Sequence, residues 1–337
     1  MAIAPNTFYI YFMKEVSIIV PHEALISSVE DARYLFSKVN EYLHQQGGSP
    51  LFNIKLVGLT REITLVHGRY IIKTDALIQE VEKPDLIIIP SINEEIIPLL
   101  IFNLKFNPWI IQNYLLGSEI ACLCTGSFLL ASTGLLKERY CATHWQFANE
   151  FRAYFPSVKL VDDKIITEQN GIYTSGGSTS YWNLLLHLVE KYTDKSTAIW
   201  ASKYFSLDIS RNSQSQFAIF NGQKEHTDKE VLFIQEFIEL HYAEKFTVES
   251  LAGKVNIARR TFERRFKNAT HNSIIEYIQR VKIEVAKKQL EAGRKTAHEV
   301  MFDVGYTDLN AFREVFHKIT GLTPVEYKNK YNNLRPL

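Results

Sequence analysis

The sequence predicts two domains of unlike class: an α/β domain on a doubly wound, mostly parallel sheet, then an all-α domain with two helix-turn-helix motifs. Three observations predict this. In the first two thirds, short apolar runs suited to buried parallel strands alternate with segments of helical periodicity. In the last third, Phe262, Phe266 and Tyr277 recur fifty positions on as Phe312, Phe316 and Tyr327, the mark of one supersecondary unit used twice. Charge divides the same way. Residues 245–337 hold 18 Lys plus Arg against 10 Asp plus Glu and the remainder 20 against 27, so a net charge of +1 conceals a basic C-terminal part. A basic domain suits a polyanion, most often nucleic acid, and a solvated basic surface is the plain alternative.

At 337 residues the chain can bury two cores, divided here as 1–205, a linker at 206–228, and 229–337. Cys122, Cys124 and Cys141 make an odd count without scaffold spacing, which predicts a reduced cytoplasmic protein without disulfides. No apolar stretch approaches 18 residues and the N-terminus lacks a basic segment followed by an apolar one, so neither membrane span nor leader is expected. No cofactor or metal site is expected.

In the first domain, "VSIIV", "NIKLVGL", "DLIIIP" and "SEIACLC" are the candidate strands, and "SSVEDARYLFSKVNEYLHQ" and "SYWNLLLHLVEKY" the candidate helices. Ligands of open α/β sheets gather at the carboxyl ends of strands, where Cys124 falls. A strand turning sharply into a helix through Cys-Thr-Gly-Ser would lift the Cys124 side chain above the sheet. The positive helix terminus would then lower its thiol pKa. A cysteine that is simply buried is the alternative. "FSLDISRNSQSQFAIFNGQKEHTDKEV" reads as a polar linker, after which Val231, Ile234, Phe237, Ile238 and His241 stripe a first helix of the second domain.

The first repeat, "VESLAGKVNIARRTFERRFKNAT", predicts a short helix through Val255, a turn at Asn256 and a helix from about Arg259. The second, "AHEVMFDVGYTDLNAFREVFHKITG", turns at Gly305. Asn and Gly tolerate the left-handed backbone such a turn needs. Phe262, Phe266 and Ala269 form a core stripe, which leaves Arg260, Glu263, Arg264 and Lys267, with Arg259 at the helix start, on the outward face. In the second copy Leu309, Phe312, Phe316 and Ile319 point in, while Asn310, Arg313, Glu314 and His317 point out. Arg grips guanine and Asn grips adenine bidentately, so both faces carry candidate base readers; solvated surface is the other reading of each residue. Between the copies, "SIIEYIQRVKIEVAKKQLEAG" starts with the capping box Ser273 and Glu276 and stops at Gly293. A helix of about 20 residues spans roughly 30 Å, close to the ~34 Å between successive major-groove faces. Thr296 with Glu299, and Thr323 with Glu326, repeat the capping signal.

From about Val231 to Tyr331 the sequence closely resembles the AraC/XylS family of transcriptional regulators, with "DVGYTDLNAFREVFHKITGLTPVEY" matching its second motif nearly throughout. The resemblance implies two helix-turn-helix units set in adjacent major-groove segments of double-stranded DNA. Ala258 stands where the family often has a Ser cap, Lys282 where Arg is frequent and His317 where Lys is usual. "LCTGSFLLASTGLLKERYCATHW", "YFPSV", "GIYTSGGSTSYWNLLLHLVEKY" and "SRNSQSQF" resemble the ThiJ/PfpI superfamily, specifically its GlxA-like members fused to an AraC domain. That resemblance implies a flavodoxin-like, class I glutamine amidotransferase-like fold and a homodimer. By motif match Cys124 takes the nucleophile position, Thr125 follows it and His144 is the histidine of the pocket.

Superfamily enzymes carry a carboxylate near the first helix, and the alignment puts Ser27 there, with Glu30 and Asp31 close by in sequence. Ser91 and Ile92 stand where glycines commonly follow the "IIIP" strand, and Asn183 replaces a common Asp. Acid-base work and oxyanion stabilisation both look degraded. The expected pocket is Cys124, Thr125, His144, Ser27 and Ser91. The reading is a DNA-binding transcription regulator, not an enzyme, that senses a small-molecule effector or a redox signal at the cysteine. The alternative is a cysteine-dependent hydrolase or isonitrile hydratase-type enzyme fused to a DNA-binding domain.

Overall fold

The computed structural model describes residues 13–93, 95–208 and 213–332, and the chain divides into two compact units, one running to Gln214 and the other starting at Ser215. The strands of the first unit are β1 (Lys14–Ile19), β2 (Phe52–Gly58), β3 (Glu62–Leu65), β4 (Tyr70–Lys73), β5 (Ala76–Leu77), β6 (Leu86–Ile89), β7 (Glu119–Cys122), β8 (Tyr140–Cys141), β9 (Lys159–Leu160), β10 (Ile166–Gln169) and β11 (Ile172–Ser175). Its helices are α1 (Ile26–Gln45), α2 (Ile96–Asn103), α3 (Asn107–Leu115), α4 (Ser127–Ser132), α5 (Ala148–Tyr154), α6 (Tyr181–Tyr192) and α7 (Lys195–Tyr204).

Seven strands form one sheet in the order β10-β11-β7-β6-β1-β2-β5, parallel throughout except where β10 runs against β11. The four apolar runs read from sequence are its centre, with Ile18 opposite both Leu56 and Ile88. Period-two alternation sends Ile18, Ile88 and Ala121 to a core with α1 and α6, and Ile19, Ile87, Ile89 and Ile120 to a second core with α3 and α4. Both faces are covered, as a doubly wound sheet requires. The hairpin β3–β4 was not read from sequence. Its tip residues Val66 and His67 have φ of 51° and 52° and are held by the Glu23 carboxylate, which accepts their N–H groups at 2.9 and 3.2 Å.

The second unit consists of α8 (Lys229–Leu240), α9 (Val248–Lys254), α10 (Arg259–Thr270), α11 (Ile274–Glu291), α12 (Ala297–Asp303), α13 (Leu309–Thr320) and α14 (Pro324–Asn332). It has two cores. One joins Phe262 and Phe266 to Ile274, Tyr277 and Val281 of α11; the other joins Phe312 and Phe316 to Ile283, Ala286 and Leu290 of the same helix. α11, 18 residues and so about 27 Å long, is therefore the shared spine. The capping boxes at Ser273, Thr296 and Thr323 form, each with its glutamate accepting from the cap residue's N–H at 2.7 to 2.9 Å. Both turns are left-handed, at Asn256 (φ 53°) and Gly305 (φ 77°). Gly305 is required twice over, because a Cβ there would lie 2.0 Å from the Ala243 carbonyl oxygen.

The segment expected to be a linker, 206–228, contains the division between the units, with residues 209–212 of the "SRNSQSQF" stretch outside the described residues. Gln214 is fully buried in the first unit, while Phe220 lies against Tyr277 of the second with ring centroids 5.2 Å apart. The Ala218 carbonyl accepts from Lys287 at 2.6 Å and the Phe220 N–H donates to Glu284 at 3.1 Å, Lys287 and Glu284 forming a buried ion pair on α11, and apart from Gln214 the described residues of the stretch are half-buried or exposed.

Candidate cysteine site and nucleic-acid interface

β7 ends at Cys122, and after Leu123 the chain makes a single 3-10 turn, Cys124–Gly126, into α4. Cys124 has φ 52°, which non-glycine residues seldom adopt. The elbow is thus real backbone geometry. Gly126 permits it, since a Cβ there would stand 2.4 Å from the Pro90 carbonyl oxygen. The thiol is 4 % exposed and its pKa is pushed up to about 11 by burial, against hydrogen bonds from the Ser91 hydroxyl and the Thr125 amide. The expected lowering is overturned. α4 has only six residues, and the half-charge at its start is smaller than the cost of desolvating a thiolate. Cys141 is likewise pushed up to about 12 by burial.

The hydrogen bonds around the thiol explain what the elbow can do. The Thr125 hydroxyl donates to the Ile92 carbonyl at 2.7 Å and accepts the Ile92 N–H at 3.0 Å. The Ser91 N–H is taken by the Ser28 hydroxyl at 3.0 Å, and the Cys124 N–H by the Ser175 hydroxyl at 3.1 Å. Donors that could have met a developing oxyanion are therefore spent on the framework. His144 is half-buried; its Nδ1 accepts the Gln146 N–H at 3.1 Å, its ring lies against Trp145 and Phe147, and burial lowers its pKa. No hydrogen bond joins His144 to Cys124.

Asp31 lies one turn further along α1 than Ser27. Ser27 is exposed, whereas Asp31 accepts a hydrogen bond from the Tyr181 hydroxyl at 2.6 Å. Burial raises the Asp31 pKa, opposed by its bonds with Tyr181 and Trp182. Tyr181 and Cys124 belong to one buried cluster, to whose edge the Tyr181 hydroxyl ties Asp31. Glu30 is excluded by its own pairing with Arg33 at 2.7 Å. Tyr181, Trp182 and Ser175 were missed from sequence; Tyr181 follows the Gly-Gly turn at the start of α6, but 150 positions separate it from Asp31.

In the second unit, Arg260, Arg264 and Lys267 are exposed on α10 and have no ion pair among the described residues. Arg259 differs, because it pairs with Glu249 and, at 3.1 Å, with Glu263, so this arginine and this glutamate neutralise each other. Arg265, on the inward side, clamps Asp228 at 2.7 and 2.8 Å and Glu230 at 2.6 Å, which fixes α10 against the start of α8. Asn310, Arg313, Glu314 and His317 are exposed on α13, and Arg313 lines a cleft of about 480 Å³ with Thr296, His298, Leu309 and Thr323. Asp308 caps α13 by accepting the Ala311 N–H at 2.6 Å, whereas Ala258 leaves α10 without a side-chain cap.

Comparison with known proteins bears on both units. Residues 36–191 match the DJ-1/PfpI family and residues 251–330 match a helix-turn-helix domain. The HTH-type transcriptional regulator GbdR of Pseudomonas aeruginosa is 25% identical over 212 residues, covering 62% of this chain and 57% of GbdR. The HTH-type transcriptional regulator CdhR of the same organism is 23% identical over 257 residues, covering 75% of this chain and 74% of CdhR. The chain thus spans little more than half the length of GbdR. A crystal structure from Vibrio parahaemolyticus, described as a transcriptional regulator, shares the fold with TM-score 0.52 and 24% identity over 57% of this chain and 99% of its own. Among the described residues no helix is long and apolar enough to cross a membrane. The chain thus joins a stretch that matches the DJ-1/PfpI family to a stretch that matches an AraC-type helix-turn-helix domain.

Proposed function

We propose that this chain binds double-stranded DNA as a cytoplasmic homodimeric transcription regulator, and that its DJ-1/PfpI-type unit senses a small molecule at the cluster of Cys124, Tyr181, Asp31 and Ser27. The observation that carries the DNA-binding part is the row Arg260, Arg264 and Lys267, exposed and without ion pairs among the described residues, above a buried stripe on the second helix of a helix-turn-helix that is repeated. Charges that no carboxylate neutralises are available to phosphates and guanine edges. The sensing part rests on Cys124, just past the carboxyl end of β7 where ligands of such sheets collect, sharing a buried cluster with Tyr181, whose hydroxyl holds Asp31. Selection of bound fragments from genomic DNA, followed by binding at several salt concentrations, tests the first part. A folded chain that bound no duplex at low salt would sink it.

The enzymatic reading has one observation in its favour, the left-handed backbone at Cys124. Against it stand the raised thiol pKa, the spent N–H donors of Ser91 and Ile92, and the absence of a bond from His144 to the thiol. A thiol redox sensor is disfavoured for the same reason, since oxidation follows thiolate character and exposure. A turnover screen with small amides and isonitriles, and intact mass after mild peroxide, separate these alternatives.

A further inference from the structure

The stretch Ile96–Gly117 holds a single charged residue, Lys105. It forms α2, one 3-10 turn at Leu104–Phe106 and α3 with no loop between them, because Asn103, Leu104, Phe106 and Asn107 all keep right-handed helical angles. Its inner side is packed, with Phe106, Trp109 and Ile110 in the core that takes Ile87, Ile89 and Ile120 from the sheet. Its outer side recurs in steps of three and four residues through Ile101, Phe102, Lys105, Pro108, Gln112 and Leu115, and every one of these is exposed. A helix that is apolar on both sides is ordinarily a buried helix, so this one wants a cover.

The helix cannot roll to hide that side, because polar bonds fix its orientation. Asn103 is fully buried; its Oδ1 accepts the His22 N–H at 2.7 Å, and its Nδ2 donates to the carbonyls of His22 at 3.2 Å and Leu99 at 3.1 Å. Asn107 Nδ2 donates to the Ser132 hydroxyl at 3.0 Å, and Trp109 Nε1 to the Val81 carbonyl at 3.3 Å. Rotation would break these bonds together and leave buried groups unpaired. Ile101, Phe102 and Leu115 accordingly stand 70 %, 59 % and 76 % exposed.

We propose that the α2–α3 face is where two copies of this chain pair. With the exposed Leu104 and Leu116, these side chains present on the order of 500 Å² of apolar surface, at roughly 100 Å² each. That approaches the limit for the free surface of a monomer, and at the apolar share of homodimer interfaces, about 65%, it corresponds to roughly 800 Å² per partner, the standard size. Matching selects the occupant. Among the described residues the other exposed large apolar side chains stand singly or in pairs, so the apolar surface of comparable extent is this same face on a second copy. A face with a single charge can meet itself about a twofold axis without setting rows of like charge together, and such pairing closes at two chains. This deepens the homodimer reading given above and rests on it.

The test is sedimentation equilibrium of the full chain over a range of concentrations, with Phe102→Glu, with Leu115→Glu as a second variant should the first disturb folding, and with Ile71→Glu on the exposed side of β4 as a control. The unaltered chain and Ile71→Glu are expected to be dimers, whereas Phe102→Glu and Leu115→Glu should raise the dimer dissociation constant about 30-fold or more. Mixing Phe102→Glu with Phe102→Lys should restore a dimer containing one chain of each kind, because the paired faces then carry opposite charge. A folding defect would not be repaired that way. If Phe102→Glu and Leu115→Glu both stay dimeric with unchanged constants, another occupant covers the face; the proposal is wrong and the homodimer reading stands. If the mixture stays monomeric, or Ile71→Glu loses the dimer to the same extent, the face is likewise wrong. An unaltered chain that is monomeric at every concentration overturns the face and the homodimer reading together.

Discussion

Cys124 sits where two effects oppose each other, and burial exceeds the helix terminus. With the thiol pushed up to about 11, the thiolate fraction at neutral pH is on the order of 10⁻⁴. Alkylation of the native chain should therefore rise about tenfold per pH unit from pH 7 to 10 without levelling, as read by mass spectrometry of the Cys124 peptide. A plateau near pH 8 would show an activated thiol and revive the enzymatic reading. Among the arginines, freedom from carboxylates separates readers from braces. Arg260→Ala or Arg264→Ala should cost roughly 1–3 kcal/mol and relax base preference in one half of the site, with Arg313→Ala acting about one helical turn away. Binding-site selection with each variant checks this. An equal loss on every sequence would make these arginines phosphate clamps.

At the scale of elements, the two reading helices differ in how they begin. α13 has the Asp308 cap, and α10 begins at Ala258 with its first N–H groups unserved by a side chain. Ala258→Ser should stabilise the second unit by about 0.5–2 kcal/mol, measured by urea unfolding; no gain would mean that the loop geometry cannot present the hydroxyl. α8 is held at its start by Asp228, which caps Val231 and whose carboxyl the Arg265 guanidinium keeps below the usual range. A depressed carboxyl contributes stability that is present above its unfolded pKa, about 4, and is lost as pH falls through its folded value. Melting of the second unit should therefore drop below about pH 4, and Asp228→Asn should remove that part of the drop while lowering stability at pH 7.

For the whole molecule, the packing of Phe220 and the clamp on Glu284 and Lys287 decide where the second unit begins. A fragment starting at Ser215 should fold and bind duplex unaided, with log K falling against log salt by about 0.9 per phosphate neutralised. A fragment starting at Thr227 leaves Tyr277 without the Phe220 ring and the buried pair without its main-chain partners, so it should unfold at lower urea. Equal midpoints would show that the segment adds nothing to the unit. A salt-independent affinity would contradict phosphate binding.

Local patterns settled much of this protein in advance. The strands β1, β2, β6 and β7 and the helices α1 and α6 follow from apolar runs and periodicity, and the turns at Asn256 and Gly305 and the boxes at Ser273, Thr296 and Thr323 from residues within four positions of each other. Such signals are short-ranged because backbone preference and capping act over one helical turn. Tertiary structure decided what depends on burial or on distant partners. The Cys124 thiol is governed by desolvation, which composition near residue 124 does not report. Asp31 meets Tyr181 across 150 positions, Arg259 is neutralised by Glu249 from the preceding helix, and Gln214, Ala218 and Phe220 find their hydrogen-bond partners far away in the chain. Polar residues are free in a sequence until the fold supplies their hydrogen bonds, and only the folded chain shows which of them remain available to a ligand or to DNA.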